Sequence, residues 1–360
     1  MACGVADDAT NSRSKQGWTR SVFEKFMMMH RVSRRNGLFK AMRFSAALGA
    51  AVLFASAAFA QSGYPTRPIR VIVPFAAGGV ADITIRIVAE SLGQKMGQRF
   101  IVENMPGAGG VAAARAVTSS TPDGYTLALL SNGTAVSVPL FKSLPFDPVK
   151  DFVPISSIGF FDFVVGTNAE SSYKTLPDLI KFARENPGKL NVGTISVGST
   201  QNLSAALLKS SAGIDFQIVP YRGTPEVIVG LLRKDIDVMI DNYVGVKSAL
   251  QDGKLTPVAT TGDARSVILK DVPTVAEGGV KGYDVVSWNA LFAPTGTPPE
   301  VIAKLNAGLR DVLAMPDVKQ KLLDLGIEAR AGSPEELKAR LVDDIAKWAK
   351  VIEQAGIPKQ

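Results

Sequence analysis

The chain has one cysteine, Cys3, and one histidine, His30, and from residue 61 to the C-terminus it has neither. A region without histidine has no imidazole base for a serine triad. A region without cysteine has no thiolate nucleophile and cannot close an intrachain disulfide. Lacking both, it also lacks the ligands of the usual zinc sites. Any enzymatic reading of residues 61–360 is confined to carboxylate, lysine or tyrosine chemistry.

A charge surplus is missing there too. The formal net charge is +7, but nine basic and three acidic residues fall within residues 1–60, which leaves +1 for the rest. A nearly neutral body has no basic footprint for nucleic acid, so no nucleic-acid partner is expected. Beyond residue 60 no apolar run approaches the roughly 20 residues that span a bilayer.

What is present begins with a leader. The basic stretch "RVSRRNGLFKAMR" precedes the apolar "FSAALGAAVLFASAAFA", which closes on the small–x–small site Ala58-Phe59-Ala60 before Gln61. This is the form of a secretory signal, cut after Ala60, and it places the product in the periplasm. The competing reading is an uncleaved N-terminal anchor. Residues 1–26 exceed what a signal needs, so Met1, Met27, Met28, Met29 and Met42 all stand as candidate starts. No lipid-accepting cysteine follows the cut.

From Ile69 onward, short apolar runs alternate with amphipathic helical stretches. "IRVIVPF", "RFIVENM" and "YTLALLS" read as strands, with helices in "ADITIRIVAESLGQKM" and "GVAAARAVTSS". The proline-rich passage from Val138 to Pro154 interrupts this rhythm. A second alternating unit follows, with strands in "LNVGTI", "FQIVPY", "IDVMIDN" and "LTPVATTG". One of its helices starts near Pro177, and a last helix starts at Ser333-Pro334-Glu335-Glu336. Such alternation predicts a mainly parallel α/β fold. Extended passages near 155–167 and 284–296 read as two strands crossing between two lobes, one of residues 61–163 plus 286–360 and the other of 164–285.

Phosphate motifs fail on inspection. "GKL" at 188–190 and 253–255 lacks the Ser or Thr of a P-loop. Gly107, Gly109 and Ala112 fit G-x-G-x-x-A, but Asp123 arrives too early, and in a turn, to hold a ribose. "GTISVGS" lacks the spacing of a nucleophile elbow. The acidic pairs Asp235/Asp237 and Asp343/Asp344 read as strand-edge and helix-surface residues. No metal site and no cofactor is expected.

Five loops that follow strands are rich in glycine and hydroxyls and poor in charge: "AAGGVAD", "NMPGAGG", "SNGTA", "SVGSTQN" and "YRGT". In a parallel sheet such loops gather at the ligand edge, where helix N-termini present unpaired N–H groups. This is a site for a small anion held by dipoles; the bland alternative is that the glycines only make tight turns. Arg222 is either a carboxylate partner or an exposed arginine, and Asp82 reads as a first-turn helix residue. Asp241 ends a strand at the ligand edge, and Trp288 either lines the cleft or packs the lobes.

The stretches "YPTRPIRVIVPFAAGGVAD", "VENMPGAGGVAAARAV", "PDGYTL", "VPYRGTPEVIVGLLRKDIDVMID", "DVPTVAEGGVKGYDV" and "WNALFAPTGTPPEVIAKLN" resemble the periplasmic solute-binding proteins of tripartite tricarboxylate transporters, the Bug family. The resemblance runs from about Tyr64 to the C-terminus. It implies a two-lobed periplasmic-binding-protein (Venus-flytrap, type II-like) fold with two crossing strands, and a carboxylate in the cleft held by loop amides and bridging waters. Carried over by motif, the first lobe would use Phe75, Ala77, Gly78 and Gly79, then Asn104, Gly107 and Gly109, then Ser131, Asn132 and Thr134. The second would use Ser196, Ser199 and Thr200, then Tyr221, Gly223 and Thr224, and Asp241.

Two departures stand out. Ala76-Ala77-Gly78-Gly79 replaces the Pro-Gly-Gly-Gly of many relatives, and Gln201-Asn202 stands where many carry histidine. The expected role is capture of a small organic acid (a di- or tricarboxylate, an amino acid or an aromatic acid) by a monomeric carrier that serves membrane permease subunits. A ligand-dependent sensor docking on a membrane receptor is the alternative, with an enzyme a distant third.

Overall fold

A computed structural model describes residues 63–360. The signal segment, its cut after Ala60 and the candidate start methionines lie outside the described residues.

The first strand, β1 (Ile69–Val73), keeps all but one of its side chains buried. The chain turns through glycines into α1 (Val80–Met96), which Gly97 ends in the left-handed conformation. β2 (Phe100–Asn104), α2 (Val111–Thr118) and the fully buried β3 (Thr126–Ser131) complete a parallel unit, with β1 between β2 and β3. α3 (Asn132–Leu140) follows β3 without a loop. β4 (Phe152–Asn168) is a single 17-residue strand.

The second unit runs α4 (Leu176–Glu185), β5 (Asn191–Thr194), α5 (Thr200–Ala212), β6 (Gln217–Pro220), α6 (Thr224–Leu232), β7 (Val238–Asn242), α7 (Tyr243–Gln251) and β8 (Leu255–Thr260). The chain returns through β9 (Val286–Pro294) to α8 (Pro299–Ala314), α9 (Pro316–Leu323), the two-residue β10 (Glu328–Ala329) and α10 (Pro334–Gln354). The sequence signals at two helix starts are used as read. Thr175 with Asp178, and Ser333 with Glu336, form reciprocal capping boxes at α4 and α10.

The strand order is β2-β1-β3-β9-β4-β7-β5-β6, with β8 and β10 also on β4. β4 joins two lobes. Up to Asp162 it is laddered antiparallel to β9; from Phe163 its partners are β7, and from Val164 also β8. The first lobe therefore holds β1, β2, β3, β9 and β10, and the second β5, β6, β7 and β8. α10 packs on α3 and reaches α5. Trp288 and Trp348 are among the largest fully buried side chains.

Four features differ from the sequence reading. The sheet is mixed rather than mainly parallel, because the long β4 and the returning β9 pair antiparallel with their neighbours. α3 occupies the start of the passage read as a proline-rich interruption. Ser131 caps it, and Pro139, the last residue but one, costs it an i→i−4 bond only at its final turn. Thr200, Gln201 and Asn202, read as loop, form the first turn of α5 because Ser199 accepts from the Asn202 N–H. β10 is too short to leave a periodic signal.

Candidate functional site

Where the two lobes face each other lies a cavity of about 280 Å³. Its walls come from the ends of four helices and from the two crossing strands. Gly79, Val80 and Ala81 open α1; Ser131 and Gly133 belong to the start of α3; Ser199, Thr200 and Gln201 open α5; Asn242 precedes α7. Each N-terminus carries a partial positive charge of about half an elementary unit. No lining side chain is ionisable.

These four N-termini are not equivalent. Ser131 accepts from the Gly133 N–H, Ser199 from Asn202, and Asn242 from Gly245. α1 begins at Gly79 with no side-chain cap, so its first amides are left for an external acceptor. The turn leading into it needs glycine at Gly78, where φ is +83°. Asp82 braces this turn by accepting from the Gly78 N–H at 2.8 Å, from Arg86 at 2.9 Å and from Asn104 at 2.9 Å. Burial works to raise the Asp82 pKa, but these bonds together hold it below the ordinary value.

The crossing strands form the rest of the wall. Phe161 and Phe163 are two residues apart on β4, so they share a face, and both line the cavity with their rings 6.0 Å apart, edge to face. Asp162 points to the other face, into a smaller cavity of about 130 Å³ that also meets Arg265, Arg330 and Arg340. From β9 come Ser287 and Asn289. Phe75, Val80 and Ile195 complete an apolar lining around these polar groups.

Of the residues singled out in the sequence, Phe75, Gly79, Ser131, Ser199 and Thr200 line the cavity. The others stand around it. Ala77 and Gly78 shape the exposed turn before α1. Asn104 donates to the Phe75 carbonyl at 3.0 Å and to Asp82, fastening that turn. Gly107 and Gly109 make the turn before α2, with Gly109 at φ +62° against Phe141 and Leu144. Thr134 completes the Ser131 cap. Asn132, fully buried, donates to Thr200 at 3.0 Å and accepts from Trp348 at 2.9 Å.

In the second lobe, Ser196 is exposed and accepts from the Ser199 N–H. Tyr221 lies over Gly230 of α6, and Gly223 caps that helix. Thr224 donates to Asp241 at 2.6 Å. Asp241 is fully buried and faces donors only: Thr224, the Gln201 Nε2 at 3.0 Å, and the Asn242 backbone and side-chain N–H groups. Burial pushes its pKa up. Arg222 is exposed, and Asp82 is the first-turn residue it was read as. Trp288 packs the interior, donating to Asp344 at 2.6 Å, and does not line the cavity.

Sequence reasoning missed Phe161, Phe163, Ser287 and Asn289. They sit in the two passages read as crossing strands, but nothing in those runs marks which residues face the cleft. Gln201 was noted as a departure from relatives but not as lining.

A two-lobed α/β chain with crossing strands and a helix-ended cleft is a periplasmic-binding-protein fold. The family model of the tripartite tricarboxylate transporter family receptor matches residues 84–357, and the chain belongs to that family. It is 33% identical over 290 residues to a UPF0065 protein encoded between tcbD and tcbE in Pseudomonas sp. (strain P51), covering 80% of this chain and 86% of that one. Among solved structures, Rpa4515 of R. palustris with adipate superposes with a TM-score of 0.73 at 33% identity, covering 82% of this chain and 99% of that one. MatC of Rhodopseudomonas palustris with bound malate gives a TM-score of 0.69 at 33% identity, covering 80% and 100%. The periplasmic binding protein BugD gives a TM-score of 0.70 at 31% identity, covering 82% and 100%, and the family and its structural neighbours are substrate-binding proteins rather than enzymes.

Proposed function

We propose that this protein is exported to the periplasm, captures a small organic acid between its lobes and delivers it to the membrane permease subunits of a tripartite tricarboxylate-type transporter. The observation that carries the reading is the uncapped N-terminus of α1 at a cavity without a basic side chain. A ligand carboxylate seats on the Val80 and Ala81 amides, taking the acceptor role that a side-chain cap fills at the other three helices. Adipate and malate in the two relatives are ligands of this chemical kind.

The lobes divide at 163/164 and 285/286, and rotation about these crossings opens the cleft. A ligand touching both lobes favours the closed arrangement, and that arrangement is what the permease recognises. The carrier is read as acting as a monomer, each chain closing on its own ligand.

The test is a thermal-shift screen of the chain from Gln61 onward against di- and tricarboxylates, aromatic acids and amino acids. A ligand bound only by the folded state raises Tm, by about 2.7 kcal/mol of stabilisation at a hundredfold excess over Kd. Stabilisation by at least one acid, and capture of a permease subunit by the loaded protein, is the expected result. No stabilisation across the panel would contradict capture; ligand binding with capture of a sensor kinase instead would contradict transport.

A further inference from the structure

Gln201 is 7% exposed, lines the cavity, and donates its Nε2 to Asp241 at 3.0 Å. Asp241 also receives the Thr224 hydroxyl and both N–H groups of Asn242, so every neighbour bonded to this carboxylate is a donor. That pattern suits the ionised form, which accepts only. It also fixes the Gln201 amide: turning it over would set Oε1 against the carboxylate. The other end of the amide has no such partner. Among the described residues nothing donates to Gln201 Oε1, and this atom is not among the sealed, unpartnered ones.

Taking the carrier reading above as its basis, we infer that Gln201 selects the ligand: its Oε1, oriented by Asp241, accepts a hydrogen bond from a hydroxyl on the bound acid. The preferred ligand is a hydroxy acid, held by its carboxylate on α1 and by its hydroxyl at α5. Asp241 is the positioning residue. It touches no ligand, and acts by denying Gln201 the reversed orientation.

The hydroxyl is favoured over the two obvious rivals by what surrounds it. A plain carboxylic acid leaves Oε1 in a mostly apolar cavity without a donor, which weakens its binding by about tenfold. An ammonium group would bring a full charge into a cavity with no ionised lining side chain. Asp241 does not serve as its counter-ion, because Gln201, Asn242 and Thr224 occupy both carboxylate oxygens.

The experiment measures Kd by calorimetry for matched acids on three skeletons: succinate, malate and aspartate; glutarate, 2-hydroxyglutarate and glutamate; 3-phenylpropionate, phenyllactate and phenylalanine. On the skeleton that binds best, the hydroxy acid is expected to bind about tenfold more tightly than its deoxy partner. Gln201→Met, which keeps the chain length and loses the acceptor, brings the pair to equal affinity. Asp241→Asn, which lets the Gln201 amide reverse, narrows the same ratio. The ratio within one variant is unaffected by any general loss of fold, and the unliganded Tm of each variant checks the fold separately.

Equal binding of hydroxy and deoxy acids by the parent protein, a preference for the amino acid, or a hydroxyl preference that survives Gln201→Met would each overturn the role of Gln201 while leaving organic-acid capture intact. No binding of any of the nine acids would overturn both.

Discussion

Asn132 Nδ2 donates to Thr200 Oγ1 at 3.0 Å, joining the start of α3 in one lobe to the start of α5 in the other. Both residues are buried, and Trp348 Nε1 fixes the Asn132 amide from behind at 2.9 Å. On the closure proposed above, this bond forms only when the lobes come together, so it is expected to contribute to the closed state and not to the open one. Replacing Thr200 by valine keeps the shape and removes the acceptor, at a cost of about 1–2 kcal/mol to closure. The expected outcome is ligand affinity lower by about tenfold, read by calorimetry, with a small change in unliganded Tm. An unchanged affinity would show that the bond is not coupled to capture.

Gly198 approaches Leu140 across the same junction. Its φ is +79°, and an added Cβ would overlap Leu140 Cδ2. Gly198→Ala is therefore expected to hold the lobes apart and strain the turn before α5. Ligand affinity should fall, and small-angle scattering should show a larger radius of gyration with saturating ligand than the parent has. A closed, parent-like profile would count against this reading.

Asp162 sits on β4 between the two phenylalanines of the cavity wall, facing the opposite side. Burial raises its pKa to about 6, which the nearby Thr260 hydroxyl only partly offsets. Its Oδ2 is sealed without a hydrogen bond. Around that smaller cavity stand Asp263, Arg265, Asp284, Glu328, Arg330 and Arg340. Because the folded state raises this pKa, it binds the proton more tightly than the unfolded state. The stabilising contribution is full below about pH 4 and is lost as pH rises through about 6. Asp162→Asn should remove that loss. Urea titrations at pH 4 and pH 8 should find the variant close to the parent at the lower pH and more stable by about 2 kcal/mol at the higher. Equal stabilities at pH 8 would contradict the assignment.

The sequence made the strands legible because buried parallel strands are short apolar runs closed by glycine or proline, as in "IRVIVPF" and "YTLALLS". Glycine at 78 and 79 likewise pointed to the α1 turn. What stayed hidden depends on contacts distant in sequence. Asn132 and Thr200 are 68 residues apart, and nothing near either one marks their bond. Ser287 and Asn289 reach the cleft only because β9 crosses beside β4. Asp241 looked like a ligand residue because it ends a strand at the ligand edge; its four donors, from three different elements, became visible only in the fold. α3 was obscured by Pro139, a residue that usually argues against a helix.

The central claim is that backbone amides at the start of α1 hold the ligand carboxylate. Proline is well tolerated at the first position of a helix, where its missing N–H has no intrahelical partner. Gly79 before it is already extended, at φ −77° and ψ 167°, as a residue preceding proline must be. Val80→Pro thus deletes one amide of the cradle and spares the helix, while Val80→Ala trims the side chain and keeps that amide. The decisive measurement is the Kd of the two variants for the acid that most stabilises the parent. The account predicts that Val80→Pro binds at least about tenfold more weakly than Val80→Ala at similar unliganded Tm. Equal affinities for the two would contradict it.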